Sequence, residues 1–357
     1  MPSLFPLDYI PKLPTKADYG IGIVGAGQIV NQAHLPAYRK AGFHVLAITD
    51  LSRSAAQDTA KRFEIPRVCE SLDELLALPA IEIVDIAVPA RHNPQLSIQA
   101  LKAGKHVLVQ KPMAETAAAA ETMVRPAKES GRKLAVNHQM RWSPSVRAAL
   151  DILRRNLLGE LLECLIQIQV RTPWDLWPWL QDHPYPELYY HSIHHVDTLR
   201  AWLGDPQSVY ATLACHPRCK FDGPTRNYML FDYARDLRAG LWVNHHSVVP
   251  PDGLRATFSI EGTEGRCDGL IGLLLNYPAG RSDTLTFWHN ELTPGGSIHM
   301  ELEGRWFPDA FIGPMSSLMD SITNDTDPET SGKEALGTLQ LLERIRQSHE
   351  TKQTVRL

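Results

Sequence analysis

Cysteine is scarce in this chain, charge of either sign is close to balanced, and no apolar run is long enough to cross a bilayer. Five cysteines in 357 residues, at 69, 164, 215, 219 and 267, are odd in number and scattered. That pattern argues against a disulfide framework and fits a reducing cytoplasm. A formal net charge of −4 offers no basic excess for neutralising phosphates, so nucleic acid is not the expected partner. Without a membrane-length apolar segment, a membrane is not expected either. Residues 1–18 contain four prolines but no basic region followed by an apolar core, which is not the pattern of a secretory signal. They are expected to form an N-terminal arm that packs on a neighbour or stays mobile. Internal repeats and low-complexity tracts are also missing. What remains is a chain 43% hydrophobic, with material for substantial cores in two domains.

From residue 19 to about 138, strand and helix patterns alternate. Strands are predicted at 20–24, 44–49, 82–87, 105–110 and 133–137, and helices at 28–41, 53–63, 71–77, 93–103 and 115–130. Such alternation with short loops implies right-handed βαβ units and a doubly wound parallel sheet. The first strand, Gly20-Ile21-Gly22-Ile23-Val24, runs into Gly25-Ala26-Gly27-Gln28-Ile29-Val30. Glycines at 25 and 27 allow a tight turn and close backbone approach to a pyrophosphate at the N-terminus of the helix that Gln28 and Ile29 open. Val30 stands at the third fingerprint position, where a bulkier residue sets the helix slightly off the strand. The next strand ends at Asp50, placed to accept from both ribose hydroxyls of an adenosine and to repel a 2′-phosphate. NAD is therefore favoured over NADP, with Arg53 available to stack on adenine or to soften that preference. The strand Glu82–Val88 should deliver Pro89 and His92 toward the cofactor. The segment Gly104-Lys105-His106-Val107-Leu108-Val109-Gln110-Lys111-Pro112 is an apolar strand that sets down a lysine at its carboxyl end, the end where open α/β sheets bind ligands.

After residue 145 the pattern changes. A helix at 145–156 leads into a strand at 160–170, and further strand-like runs fall at 207–214, 227–233, 238–246, 255–261, 265–273 and 283–289. Most are at hairpin spacing, which predicts a mainly antiparallel sheet with one face packed on helices. Ser331-Gly332-Lys333-Glu334 is a capping-box pattern before a C-terminal helix at about 333–349. Domains are thus expected at 19–140 (dinucleotide-binding) and 141–357 (substrate-binding and oligomerisation).

Taken together, the glycine turn, Asp50, Ala87-Val88-Pro89, His92, Ala103–Val107, the pair Lys111-Pro112, Arg141-Trp142-Ser143-Pro144 and a motif near residue 194 resemble the Gfo/Idh/MocA family of oxidoreductases, over roughly residues 19 to 357. The resemblance implies a Rossmann domain followed by a C-terminal α/β domain, action on sugars, polyols and related compounds, and a homo-oligomer (dimer or tetramer) built on the open face of the second sheet. It also implies cofactor contacts from Gln110, Lys111 and Arg141. The family spacing of a histidine three residues before an aspartate and ten before a glycine is met by His194, Asp197 and Gly204.

On this reading Lys111 holds the reacting hydroxyl and His194 is the general acid/base, since an ordinary imidazole pKa of roughly 6.5 suits proton transfer in both directions near neutral pH. Drawn as one α-helix, Tyr190, His194 and Asp197 share a face within an arc of about 60°. Two residues depart from the family. Tyr190 stands where members commonly carry an aspartate, and Asp197 is expected to compensate in part; Gln110 stands where glutamate is usual, which should make Lys111 easier to deprotonate. His191 reads as a polar wall of the substrate pocket. Trp174 and Trp177 sit in a proline-rich loop suited to stacking on the C–H faces of sugars, with Asp175, Asp182 and His183 able to read hydroxyls, or to form a lid or an oligomer contact. No acidic or cysteine partner at ligand spacing supports a metal site among the histidines. The expected substrate is a small sugar, polyol, or sugar acid or lactone. A redox-neutral oxidoisomerase or glycoside-processing enzyme with retained NAD, and a non-catalytic NAD-binding sugar sensor, are the alternatives.

Overall fold

A computed structural model describes residues 6–357. Up to residue 139 the chain alternates β1 (Gly20–Val24), a helical stretch from Gln28 into α1 (Leu35–Ala41), β2 (His44–Thr49), α2 (Arg53–Phe63), β3 (Arg67–Val68), α3 (Leu72–Leu76), β4 (Ile83–Ile86), α4 (Asn93–Lys102), β5 (His106–Gln110), α5 (Ala117–Ser130) and β6 (Leu134–Asn137). All six strands pair in parallel in the order β3-β2-β1-β4-β5-β6. The winding direction reverses between β1 and β4, and that is where doubly wound sheets bind ligands outside their strand ends. β4 and β5 are buried along their whole length, as expected of strands covered by helices on both faces. The hydroxyls of Ser52, Ser71 and Thr116 accept backbone N–H groups from the first turns of α2, α3 and α5, satisfying donors the helices cannot.

The next segment carries α6 (Pro144–Arg154), β7 (Leu161–Gln169), a loop of short 3₁₀ turns, α7 (Ile193–Leu203), β8 (Ser208–Ala214), β9 (Arg226–Asp232), β10 (Arg238–Asn244), β11 (Arg255–Gly262), β12 (Gly265–Leu270), β13 (Thr284–His289) and β14 (Ile298–Glu301). The chain closes with α8 (Ile312–Asn324), α9 (Gly332–Thr351) and β15 (Val355–Arg356). Nine strands form one sheet in the order β14-β13-β12-β11-β7-β10-β9-β8-β15. Every neighbouring pair is antiparallel except β7 with β10. Inward residues such as Ile166, Leu241, Met229 and Phe258 are buried. Outward ones include Leu165, Tyr210, Tyr228, Leu230 and Trp242, all exposed.

Contacts divide the chain into two units, each discontinuous in sequence. One contains the parallel sheet and comprises residues 11–139 and 307–339; the other contains the nine-stranded sheet and comprises residues 6–10, 140–306 and 340–357. Thus α8 belongs with the parallel sheet, where the Val136 N–H donates to the Thr330 carbonyl at 2.8 Å. Where hydrophobic pattern draws one boundary, near residue 140, tertiary contacts draw further ones that no local signal marks. The short β3, β14 and β15 and the helix α8 are the elements the sequence pattern did not predict. Residues 1–5 of the N-terminal arm lie outside the described residues. The rest of it is tied to its own chain: Asp8 N–H donates to Asp151 at 3.2 Å, and the Tyr9 hydroxyl accepts from Glu303 N–H at 3.1 Å. In the other unit Thr15 N–H donates to Asp320 at 3.0 Å. The described part of the arm is thus anchored on its own chain at Asp8, Tyr9 and Thr15.

Candidate functional site

In the parallel-sheet unit, Gly25, Asp50, Pro89 and Lys111 all follow the carboxyl ends of strands. Gly25 has φ 111°, and a Cβ there would lie 2.5 Å from the Ala87 carbonyl oxygen, so no other residue fits the turn. At Gly27 a Cβ would meet nothing within 4 Å. The backbone at Gly27 and Gln28 is exposed and opens a helix, whose first N–H groups have no intrahelical acceptor. Val30, fully buried, begins a π turn through His34, so the helix widens at the position where the fingerprint ordinarily has a small residue. Asp50 accepts from Ala26 N–H at 2.7 Å and from Ser52 N–H at 2.7 Å, tying the glycine turn to the start of α2. An open backbone turn at a helix N-terminus, with a carboxylate at the end of the adjacent strand, fits the pyrophosphate and ribose of a dinucleotide. Arg53 is exposed and ion-paired with Glu70. Pro89 is half-buried and His92 exposed, the latter accepting from Arg91 Nε at 3.0 Å.

Lys111 is half-buried, and its backbone is gripped from three directions. Its own N–H donates to Gln110 Oε1 at 2.7 Å. Asn93 Nδ2 donates to the carbonyls on either side, Gln110 at 3.2 Å and Pro112 at 3.1 Å. Gln110 Nε2 in turn donates to His34 Nε2 at 3.2 Å, as does Asn137 Nδ2 at 3.2 Å. His34 Nδ1 donates to Asp85 at 2.7 Å, and the Tyr38 hydroxyl donates to the same oxygen at 2.8 Å. His34 and Asp85 are fully buried. Burial pushes the Lys111 ammonium down to about 7, because a low-dielectric site disfavours the charged form. The sequence reading missed His34, Asp85 and Asn93. The signal was Asp85 itself, a carboxylate inside the strand Ile83-Val84-Asp85-Ile86, which required a buried partner.

In the other unit His194 lies in the first turn of α7 and is buried, its ring edge-on to Trp306 at 5.2 Å. Residues Leu188–Ser192 form a π turn ahead of α7. The extra residue per turn breaks the regular wheel, so the predicted shared face of Tyr190 with His194 and Asp197 does not follow from α-helical spacing. Tyr190 meets Trp179 at 5.1 Å and His183 at 5.2 Å. Asp197 is engaged elsewhere: Arg141 Nε and Nη2 donate to its two oxygens at 2.6 and 2.7 Å, with both side chains buried. Asp197 thus shares its charge with Arg141. Arg141 is held in that bidentate pair within one unit.

The tryptophan loop divides in two. Trp174 is 5% exposed and packs against His191 at 4.8 Å, Phe221 at 4.9 Å and, face to face, His246 at 6.0 Å. It forms the interior of the loop. Trp177 is half-buried beside His191 and Tyr277, Trp179 is exposed, and His183 is half-buried with its pKa lowered by burial. Asp175 and Asp182 are exposed. Beneath the loop Glu187 is fully buried. It accepts from Ser192 Oγ at 2.7 and 3.0 Å and from Asn227 Nδ2, and His245 Nε2 lies 3.4 Å away. Burial pushes its carboxyl up to about 8, outweighing the Ser192 hydrogen bonds. Burial likewise drives His245 well below the ordinary imidazole range.

Two family models match the chain: an oxidoreductase NAD-binding Rossmann fold over residues 19–138, and the corresponding C-terminal α/β domain over residues 151–357. The chain belongs to the Gfo/Idh/MocA oxidoreductase family. Among its family relatives, 1,5-anhydro-D-fructose reductase of Ensifer adhaerens is 26% identical over 70% of this chain and 74% of its own. An NADP(+)-named scyllo-inositol 2-dehydrogenase of Bacillus subtilis is 23% identical over 87% of this chain and 88% of its own. The same fold is seen in an oxidoreductase from Agrobacterium radiobacter in complex with NAD+, L-tartaric acid and magnesium, with TM-score 0.83 and 20% identity over 95% of this chain and 98% of that one. Levoglucosan dehydrogenase in complex with NADH and levoglucosan superposes with TM-score 0.81 and 18% identity, over 94% of this chain and 98% of that one.

Proposed function

We propose that this protein is an NAD-dependent dehydrogenase of a small sugar, polyol, or sugar acid or lactone. The observation that carries the reading is Lys111: a lysine at the carboxyl end of β5, on a backbone held by buried amides, with its amine pushed down to about 7. Such an amine can hold the reacting hydroxyl at neutral pH and exchange a proton with it. His194 takes the hydroxyl proton on oxidation and returns it on reduction. The bound nicotinamide supplies hydride acceptance and donation. Gly25, Gly27, Gln28 and Ile29 would hold the pyrophosphate, and Asp50 the adenosine ribose. The carboxylate of Asp50 supports NAD over NADP, and Arg53, paired with Glu70, does not offset it. Gln110, Pro89, His92 and Arg141 complete the proposed cofactor set. Trp177, His183, Tyr190 and His191, with Trp174 behind them, would line the sugar site and exclude water from the charge shift. Second copies of the chain assemble on the exposed face of the nine-stranded sheet. Five free thiols, three of them buried, support a cytoplasmic setting.

A spectrophotometric screen of NAD and NADP against pentoses, hexoses, inositols, sugar acids and lactones tests this directly. NADH should appear with a member of these classes, and Lys111→Met and His194→Ala should each abolish turnover while NAD binding, read by quenching of tryptophan fluorescence, is retained. Undiminished turnover in both variants would overturn the assignment. Product formed without net NADH, from protein that copurifies with nicotinamide, would establish the redox-neutral alternative instead.

A further inference from the structure

We propose that His34 is a positioning residue for Lys111, acting through the side-chain amide of Gln110. The inference rests on the reading of Lys111 as the group that holds the reacting hydroxyl. His34 Nδ1–H is committed to Asp85 at 2.7 Å, so the ring's other nitrogen presents only a lone pair. An acceptor at that point dictates which end of a neighbouring amide faces it. Both Gln110 and Asn137 turn their NH₂ groups toward it, each at 3.2 Å. With its NH₂ fixed there, the Gln110 carbonyl oxygen is left facing the Lys111 N–H, which it accepts at 2.7 Å. A flipped Gln110 would set its oxygen against the imidazole lone pair and its NH₂ against the Lys111 N–H, with both contacts repulsive. Asp85 thus sets the tautomer of His34, His34 sets the orientation of Gln110, and Gln110 sets the backbone that carries Lys111. Asn93 reinforces the same three residues from the other side through the carbonyls of Gln110 and Pro112.

These hydrogen bonds fall on backbone and amide groups, so the network acts on where the chain presents the lysine. Each link is buried: Asp85 and His34 fully, Asn93 and Asn137 at 1%, and Gln110 at 8% exposure. In such surroundings an amide without its partner is costly, which holds the chosen orientation.

The test uses the full-length protein and the substrate found by the screen. His34→Leu removes the acceptor. It should lower kcat by about 10–100-fold, the range expected when a reacting group is misplaced by an ångström or so, while KM for NAD stays within about twofold. Hydrogen exchange at the Lys111 amide should speed up by about tenfold or more, reflecting the lost Gln110 bond. Gln110→Met should reproduce both effects without disturbing the Asp85–His34 pair, and the double variant should be no worse than either single one. His34→Gln, which keeps an acceptor and a donor, should restore most of the loss. Tyr38→Phe removes the other donor to Asp85 and should leave kcat within about twofold even as stability falls. Additive losses in the double variant, parental kcat and amide exchange in His34→Leu, or an equal fall in kcat in Tyr38→Phe would each overturn the proposal. Full turnover in Lys111→Met would instead remove the role of Lys111, a failure visible apart from the amide-exchange result.

Discussion

At residue 110 one neutral amide stands where the family usually carries a carboxylate, and its neighbour Lys111 has its amine pushed down to about 7 by burial. Restoring the charge should reverse part of that shift. In Gln110→Glu the new carboxylate favours the ammonium form, and the Lys111 midpoint should rise by about one pH unit or more. The pH dependence of Lys111 acylation, followed by mass spectrometry of the labelled peptide, reads that midpoint directly; an unmoved midpoint would mean that burial alone sets it. The same depression carries a stability cost with a definite sign. The unfolded chain holds a proton on this amine up to about pH 10 while the folded one has released it, so Lys111 destabilises the fold at and below about pH 7 and is relieved as pH rises beyond that. Lys111 was legible in the sequence because a strand pattern ends on it. The network behind it was not, because Asp85, Gln110 and Asn137 come from three strands and His34 and Asn93 from two helices, five separate segments that only the folded sheet and its helices bring together.

At the scale of the element, the helix after the glycine turn and the helix carrying His194 both contain a π turn near their start, at Val30–His34 and at Leu188–Ser192. Hydrophobic periodicity located both helices but not the added residue, since a π turn shifts side-chain phase without altering composition. For the second helix that shift matters, because it moves Tyr190 out of the α-helical register and into contact with Trp179 and His183. Glu187, just before this turn, gives the element a pH signature. Its carboxyl is raised to about 8, so the folded chain keeps a proton that the unfolded chain sheds near its ordinary value. Stability from this group is therefore present at acid pH and lost as pH climbs from about 4.5 toward 8, at up to about 1.4 kcal/mol per pH unit. Glu187→Gln should flatten the decline of urea-unfolding free energy between about pH 5 and 8 relative to the parent protein. Parallel slopes in the two proteins would place the proton on another group.

For the molecule as a whole, the most conspicuous surface is the outward face of the nine-stranded sheet. Strand register aligns Tyr210, Leu230, Gly240 and Leu165 in one row across β8, β9, β10 and β7, and Thr212, Tyr228, Trp242 and Gln167 in the next. Leu230 is 65% exposed, Tyr228 45% and Leu165 41%, and the Tyr228 and Trp242 rings pack at 5.3 Å. A contiguous apolar face of this kind is the mark of a protein contact, which supports the proposed assembly with a second copy of the chain. Leu230→Lys combined with Trp242→Lys should convert the oligomer to monomer in light scattering coupled to size exclusion, with far-UV circular dichroism unchanged. A monomeric parent protein, or an oligomer that survives both charges, would place the contact elsewhere. Among the described residues no helix is long and apolar enough to cross a membrane.

The sequence by itself determined what is local or periodic. The parallel unit was readable because buried strands are apolar runs and their caps and glycine turns lie within a few residues of them. The second sheet was readable because a half-exposed strand alternates. Lys111, Gly25, Gly27 and Asp50 were singled out because each sits at a fixed offset from such an element, and His194 because its spacing to Asp197 and Gly204 matches the family it resembles. Tertiary structure alone decided the partners. That Asp197 pairs with Arg141, whether Trp174 is surface or interior, and which buried groups hold Gln110 all depend on segments far apart in sequence. Burial supplies the energy that selects among those pairings, and burial exists only once the chain has folded.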